Sequence, residues 1–268
     1  MRELTLEEIK QIEFEILKFF KKICDDEGLS YFLSNGTLLG AVKYKGFIPW
    51  DDDIDVFMPR KDYDKLIRFF QNTCDYVLFS NERCENFTFP FAKLCDIRTL
   101  KEESGVSNGV TLGLDIDIFP LDAWAYSYDC SKKKIRKIQR YIQKINFAKM
   151  PFKKGRNPLR TIAKTAVLGW TKFVGAKKYV EKIQNTVVCE RHGEKRQHMG
   201  CFVWPIYGEG EIIPAEVFLD TIKIKFEEEY FLIPAGYDVY LRNLYGDYEK
   251  DPPLEKQKTH HSFKAYKL

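Results

Sequence analysis

The sequence predicts an α/β chain in the α+β sense: a small mixed β-sheet backed by helices and interrupted by a basic helical insertion. Three observations carry this. The segments Asp53–Met58 and Leu114–Asp122 alternate aspartates with apolar residues, which is the period of a strand with one buried face. Ile9, Ile12, Ile16, Phe19 and Ile23 recur at helical spacing near the N-terminus. Residues 131–192 read as helix in two or three pieces broken by Pro151, Gly155 and Pro158. The expected organisation is a core at 1–130, the insertion at 131–199, and a C-terminal part at 200–268 that completes the core.

Taken in order, Thr5 and Glu8 form a capping box that opens the first helix, and Gly28 stops it. Tyr31–Leu33 is a short strand, which delivers the polar turn Ser34-Asn35-Gly36-Thr37. Leu38–Tyr44 follows as a short helix. After the acidic strand, Arg60–Phe70 is a helix with Tyr63, Leu66, Ile67 and Phe70 on one side. Tyr76–Phe79 and Phe89–Cys95 are strands, and Val106–Gly113 is a turn-rich connection. Asp122 is expected to cap the turn after the second acidic strand. Ile222–Phe226 and Tyr230–Ile233 make a hairpin around the run Glu227-Glu228-Glu229. Pro234 is expected to start the last helix, whose apolar face is Tyr237, Tyr240, Leu241 and Leu244.

Composition bounds the function. A hydrophobic content of 44% over 268 residues supplies a sizeable core. No run of eighteen apolar residues offers a membrane span, and the charged N-terminus lacks a signal peptide's apolar stretch. Seven cysteines without a paired framework fit a reducing compartment, so a cytoplasmic location is expected. The net charge of +4 conceals a division: residues 131–182 hold seventeen Lys or Arg against the single acid Glu181. Within them, Ile162–Val174 sets Val167, Leu168, Trp170 and Phe173 among lysines, a pattern suited to an anionic membrane surface. No nucleic-acid recognition motif accompanies the charge. Cys189, His192, His198 and Cys201 have zinc-ligand chemistry, but their spacing is shorter than that of common fingers, and unrelated residues are the expected reading.

The chemistry concentrates in LSNGTLLGAVKYKGFIPWDDDIDVFMP, Leu33 to Pro59. Asp53 and Asp55 are two apart, so on a strand both carboxylates share one face. Two such carboxylates repel each other, and a divalent cation held by their oxygens removes the conflict. The Gly36-Thr37 turn ahead of a helix offers backbone N–H groups and a positive dipole end to a phosphate. Lys43 and Lys45, between that turn and the aspartates, have the charge to neutralise donor phosphates. A phosphate cradle beside metal-binding carboxylates points to phosphoryl-group chemistry. The second acidic strand supplies a third carboxylate, and spacing alone leaves Asp115 and Asp117 both open.

The run GTLLGAVKYKGFIPWDDDID resembles the LicD family, a branch of the nucleotidyltransferase superfamily related to the fukutin-type transferases. The resemblance covers residues 28–122 strongly and 200–262 more loosely; the insertion matches nothing. It implies a nucleotidyltransferase-type fold, with Gly36 and Thr37 binding a phosphate and Asp53 and Asp55 as the metal pair. The family pattern I-D-I-F-P-L-D falls on Ile116–Asp122 and selects Asp117 as third ligand and general base. The C-terminal segment LYGDYEKDPPLEKQKTHH also resembles the family, which implies that His260 or His261 reaches substrate phosphates. The implied activity is metal-dependent (Mg²⁺ or Mn²⁺) transfer of phosphocholine from CDP-choline to a lipid-linked glycan or teichoic acid precursor. Transfer of glycerol or ribitol phosphate, nucleotidyl transfer, and a basic glycan- or nucleic-acid-binding protein are the alternatives.

Overall fold

The computed structural model describes residues 1–103, 110–150, 158–188, 196–259 and 263–268. After β1 (Arg2–Glu3), Thr5 caps α1 (Leu6–Glu27) through the reciprocal bonds expected with Glu8, and Gly28 closes it in the left-handed region at φ 62°. The buried stripe of α1 is wider than the isoleucine pattern. It centres on Phe14, Ile16, Leu17, Phe20 and Cys24, and it also contains Glu13. Next come β2 (Phe32–Leu33), α2 (Asn35–Tyr44), β3 (Asp55–Pro59), α3 (Arg60–Phe69) and β4 (Tyr76–Phe79). The long strands β5 (Ala92–Glu103) and β6 (Leu112–Trp124) follow.

The basic region is helical: α4 (Tyr128–Lys149), α5 (Pro158–Val174) and α6 (Ala176–Val187). The chain continues through β7 (His198–Gly200), β8 (Ile213–Pro214), the hairpin β9 (Thr221–Phe226) and β10 (Glu229–Pro234), α7 (Tyr237–Tyr245) and β11 (Phe263–Lys267). Of the expected connection Val106–Gly113, residues 106–109 lie outside the described residues, and Leu112 and Gly113 already belong to β6.

The main sheet runs β1-β11-β5-β6-β3-β2, with β4 added to β5 and β7 joining β6 to β8. Most pairs are antiparallel, but β3 and β6 are parallel, so the sheet is mixed. Strand β6 is buried along nearly its whole length, as a strand covered on both faces must be. Helix α1 packs on β5 and β6, and α3 on β3 and β6. The β5–β6 ladder shifts register between Asp96 and Lys101. Gly113 sits there because a Cβ would come within 2.0 Å of the Asp96 carbonyl oxygen.

The basic helices are tied to this core rather than hung from it. Ile135, Ile138 and Ile145 of α4 and Tyr179, Val180 and Ile183 of α6 join the main hydrophobic core. Trp124 Nε1 donates to the Val187 carbonyl at 3.1 Å, and its ring stacks on Phe202 at 3.7 Å.

Several boundaries differ from the sequence expectation, most by a residue or two and four with consequences. Helix α2 begins at Asn35, not Leu38, so the polar turn is its first turn. Strand β3 begins at Asp55, leaving Asp53 in the approach loop, where Pro49 and Trp50 precede the aspartates. Strand β5 covers Ala92–Glu103 rather than Phe89–Cys95, because its pairing with β11 extends it. Pro234 ends β10 instead of opening α7. Its fixed φ suits a strand end as well as a helix start.

Candidate active site

The parallel pairing of β3 with β6 sets Asp55 directly opposite Asp117. The hydroxyl oxygen of Thr37 accepts the Asp55 N–H at 2.8 Å, and the Ser34 N–H donates to the Asp55 carbonyl at 3.1 Å. The first turn of α2 is thereby fastened to the start of β3. Asn35, at φ 46°, is held from its other side: its N–H donates to the Tyr240 hydroxyl, which donates back to Asn35 Oδ1 at 2.9 Å.

At position 36 a Cβ would come within 2.8 Å of Asp51 Oδ2, so any larger residue would have to displace that carboxylate. Residues in a helix's first turn have N–H groups without intrahelical acceptors, so Gly36 and Thr37 present donors beside Asp51. Asp51, Asp52 and Asp53 bring carboxylate oxygens within 4.8 Å of one another. Among the described residues this is the trio of ligand atoms that come so close; Asp55 and Asp117 lie next to it but outside it.

The electrostatics show crowded acids. Burial raises the Asp55 carboxyl well above the usual carboxylate range, and the neighbouring Asp53 and Asp117 raise it further, against a hydrogen bond from Asn35. Asp117 is raised to about 6, mainly by burial, with Lys93 opposing the shift and Asp115 adding to it.

Asp115 and Asp117 differ in kind. Lys93 Nζ donates to both carboxylates, and Lys101 Nζ donates to Asp115 at 2.9 Å. The Asp115 side chain is 1% exposed and the Asp117 side chain 22%. Burial would raise Asp115, but Lys101 and Lys93 together pull it below its ordinary value. Asp115 is thus locked between two lysines, whereas Asp117 keeps an accessible edge.

Of the other expected site residues, Lys43 lies near Gly36 and Asp51. Lys43 Nζ pairs with Asp251 at 2.6 Å, and the Tyr44 hydroxyl donates to the same carboxylate. Lys45 is exposed, and its Nζ reaches the Val42 carbonyl at 3.1 Å. His260 and His261 lie outside the described residues, as do Cys189 and His192. His198 Nδ1 contacts the Tyr126 carbonyl oxygen at 3.2 Å, while buried Cys201 faces the Trp204 carbonyl at 3.8 Å. Asp122, expected as a turn cap, is a strand residue. It lies within β6 and grips Arg60 with both oxygens at 2.7 Å, fixing α3 to the sheet.

Several residues emerge only in three dimensions. Lys93 is a lone lysine in the apolar run Phe89–Cys95, and that misfit of pattern was the signal available. Glu13, fully buried, has no hydrogen-bond partner for either carboxylate oxygen among the described residues. Its carboxyl is raised by burial against Lys101, with Asp53 and Asp115 adding. Glu211 is raised to about 8, chiefly by burial, although the Tyr207 and Cys201 N–H groups oppose this.

Beside Gly36 opens a cleft of about 430 Å³. Tyr44, Trp50, Tyr207, Tyr245 and Tyr248 line it.

A mixed sheet here brings a helix N-terminus together with a cluster of aspartates at the start of β3 and on its parallel neighbour β6, which makes this the candidate site of a group-transfer enzyme. Residues 28–153 match the family described as LicD/FKTN/FKRP, nucleotidyltransferase domain. The lipopolysaccharide cholinephosphotransferase LicD of Haemophilus influenzae (strain ATCC 51907 / DSM 11121 / KW20 / Rd) is 32% identical over 275 residues, covering all of both chains. An uncharacterised protein of Rickettsia prowazekii (strain Madrid E) is 35% identical over 49 residues, 18% of each chain. The chain belongs to the LicD family of transferases.

Proposed function

We propose that this protein transfers phosphocholine from CDP-choline to a sugar hydroxyl of a lipid-linked glycan or teichoic acid precursor, releasing CMP. The observation that carries this is the full-length identity to a lipopolysaccharide cholinephosphotransferase, together with the site just described.

The residues fit a divalent cation. The Asp55 carboxyl is raised by burial first and then by the charges of Asp53 and Asp117, and Ser34, whose N–H donates to the Asp55 carbonyl, has a buried Oγ without a partner among the described residues. Asp53, Asp55 and Asp117 would hold Mg²⁺ or Mn²⁺, which would offset charge on the donor's non-bridging phosphate oxygens. The first-turn N–H groups of Gly36 and Thr37 bind donor phosphate, while the Thr37 hydroxyl keeps Asp55 in place. Asp117, with its carboxyl near 6, is ionised at neutral pH and takes the proton of the acceptor hydroxyl. The acceptor oxygen forms the new bond to the choline-bearing phosphorus as the bond to CMP breaks. Asp115, held by both lysines, keeps Lys93 aimed at Asp117.

The protein works at the inner face of a membrane. No helix among the described residues is long and apolar enough to cross one. Helix α5 instead exposes Val167, Trp170 and Phe173, the last at 85%, beside Lys172. An apolar ridge flanked by cations suits anionic headgroups and a lipid-linked acceptor.

Isothermal titration of CDP-choline, CDP-glycerol, CDP-ribitol and CTP with Mg²⁺, paired with transfer assays, tests the reading. CDP-choline should bind selectively, and Asp53→Asn/Asp55→Asn should lower turnover on the order of a thousandfold. Selective binding of another CDP-alcohol would change the substrate, a nucleotidylated product would change the reaction, and unaltered turnover in the double variant would reject the site.

A further inference from the structure

We propose that the aromatic cleft beside Gly36 seats the quaternary ammonium head of the donor, with Tyr44, Trp50, Tyr207 and Tyr245 forming its walls and Asp51 joining it to the phosphate site. This deepens the phosphocholine-transfer reading and rests on it.

The cleft is assembled from the end of α2, the loop before β3, the segment around Tyr207 and the end of α7. Its rings come in perpendicular pairs. Tyr44 and Trp50 meet at 76° with centroids 6.2 Å apart, and Tyr207 and Tyr245 at 77° and 5.1 Å. Perpendicular rings make corners, which suit a tetrahedral cation; a flat base is better served by parallel faces.

The polar atoms of these walls are largely committed to one another. The Tyr44 hydroxyl donates to Asp251, and the Tyr207 and Tyr245 hydroxyls share a 2.9 Å bond. A trimethylammonium group has no N–H to donate and asks only for ring faces and negative potential. Glycerol or ribitol would need hydrogen-bond partners that ring faces do not supply.

Charge points the same way. The lining holds Asp51, Asp247 and Asp251 against Lys43 and Lys250, and the lysines pair with Asp251 and Asp247 at 2.6 and 2.7 Å. Among the described lining residues acids outnumber lysines, a composition that suits a cationic head group. Asp51, packed against Gly36 and clustered with Asp52 and Asp53, sets the phosphate site at the cleft's wall.

The test is calorimetric, in Mg²⁺ buffer, with CDP-choline, CDP-ethanolamine and CMP as probes on wild type, Trp50→Leu and Trp50→Phe. Trp50→Leu should weaken CDP-choline roughly tenfold and leave CMP unchanged, while Trp50→Phe should retain most of the affinity. On wild-type protein, tetramethylammonium should compete with phosphocholine and not with CMP, which needs no variant to fold. Unchanged CDP-choline affinity in Trp50→Leu would overturn the assignment, as would tetramethylammonium that fails to compete. Equal losses of CMP and CDP-choline in a folded Trp50→Leu would give the cleft to the nucleotide. In these cases the transferase reading stands; no binding of CDP-choline or CMP to wild type would overturn both.

Discussion

Two regions of this molecule are dense in charge and treat it in opposite ways. Between β5 and β6, Lys93, Lys101, Asp115 and Asp117 lie buried or nearly so, and each charge is matched by hydrogen bonds to its neighbours. On α4 to α6 the lysines and arginines greatly outnumber acids, and most stay at the surface over an apolar base. In a low dielectric, an ion without its partner is costly, so the strand lattice tolerates little change. In water, the same ions are screened and each contributes little to stability. The first region is therefore suited to fixing geometry, the second to attracting a partner.

The sharpest way to break this contrast is Asp115→Asn. It leaves two buried lysines short of a counter-charge and should cost about 3–5 kcal/mol, read from the urea midpoint. A midpoint shift like that of a surface variant would show that water already screens the lattice.

The next effect is a pH dependence. The Glu211 carboxyl is raised to about 8 in the fold, against the ordinary 4.5, so the folded state keeps a proton that the unfolded state has lost between those values. Its contribution is complete below pH 4.5 and falls as pH rises towards 8, by about 1.4 kcal/mol per pH unit. Glu211→Gln should flatten the fall of the thermal midpoint between pH 5 and pH 8. Parallel curves for variant and wild type would sink the assignment.

The smallest effect on stability belongs to the basic helices. Lys172→Gln/Lys178→Gln should shift stability by less than about 0.5 kcal/mol. The same change should weaken binding to phosphatidylserine vesicles roughly thirtyfold, at about 1 kcal/mol per lysine. Equal binding to neutral and anionic vesicles would remove the charge from the membrane argument.

The contrast also explains what could be read from the chain before its structure. The Thr5–Glu8 box and the Gly28 stop are local devices that lie where their spacing predicts, and the expected hairpin turns within the run Glu227-Glu228-Glu229, whose last residue already belongs to β10. The aspartate pattern and Gly36-Thr37 are short-range as well, so the site's centre was legible. Lys93 was not, because its meaning depends on the register that sets it across from Asp117. Nor could spacing alone separate Asp115 from Asp117, since burial and the reach of Lys101 make the difference. Glu13 passed as one more polar residue on a helix whose buried face proved wider than its isoleucine stripe. The aromatic cleft draws Tyr207 and Tyr245 to Trp50 across more than half of the chain, beyond any motif.

The pairing of β11 has a consequence for synthesis. Strand β11 lies between β5 and β1, with Lys267 opposite Arg2 and Tyr266 opposite Leu100. Strand β1 therefore has no partner until β11 emerges. Until β11 has been made, the Thr99–Glu103 edge of β5 stays open, the form of sheet most prone to pair with other chains. Closure therefore waits for residues 263–267, and until they arrive that edge carries the risk of pairing with other chains.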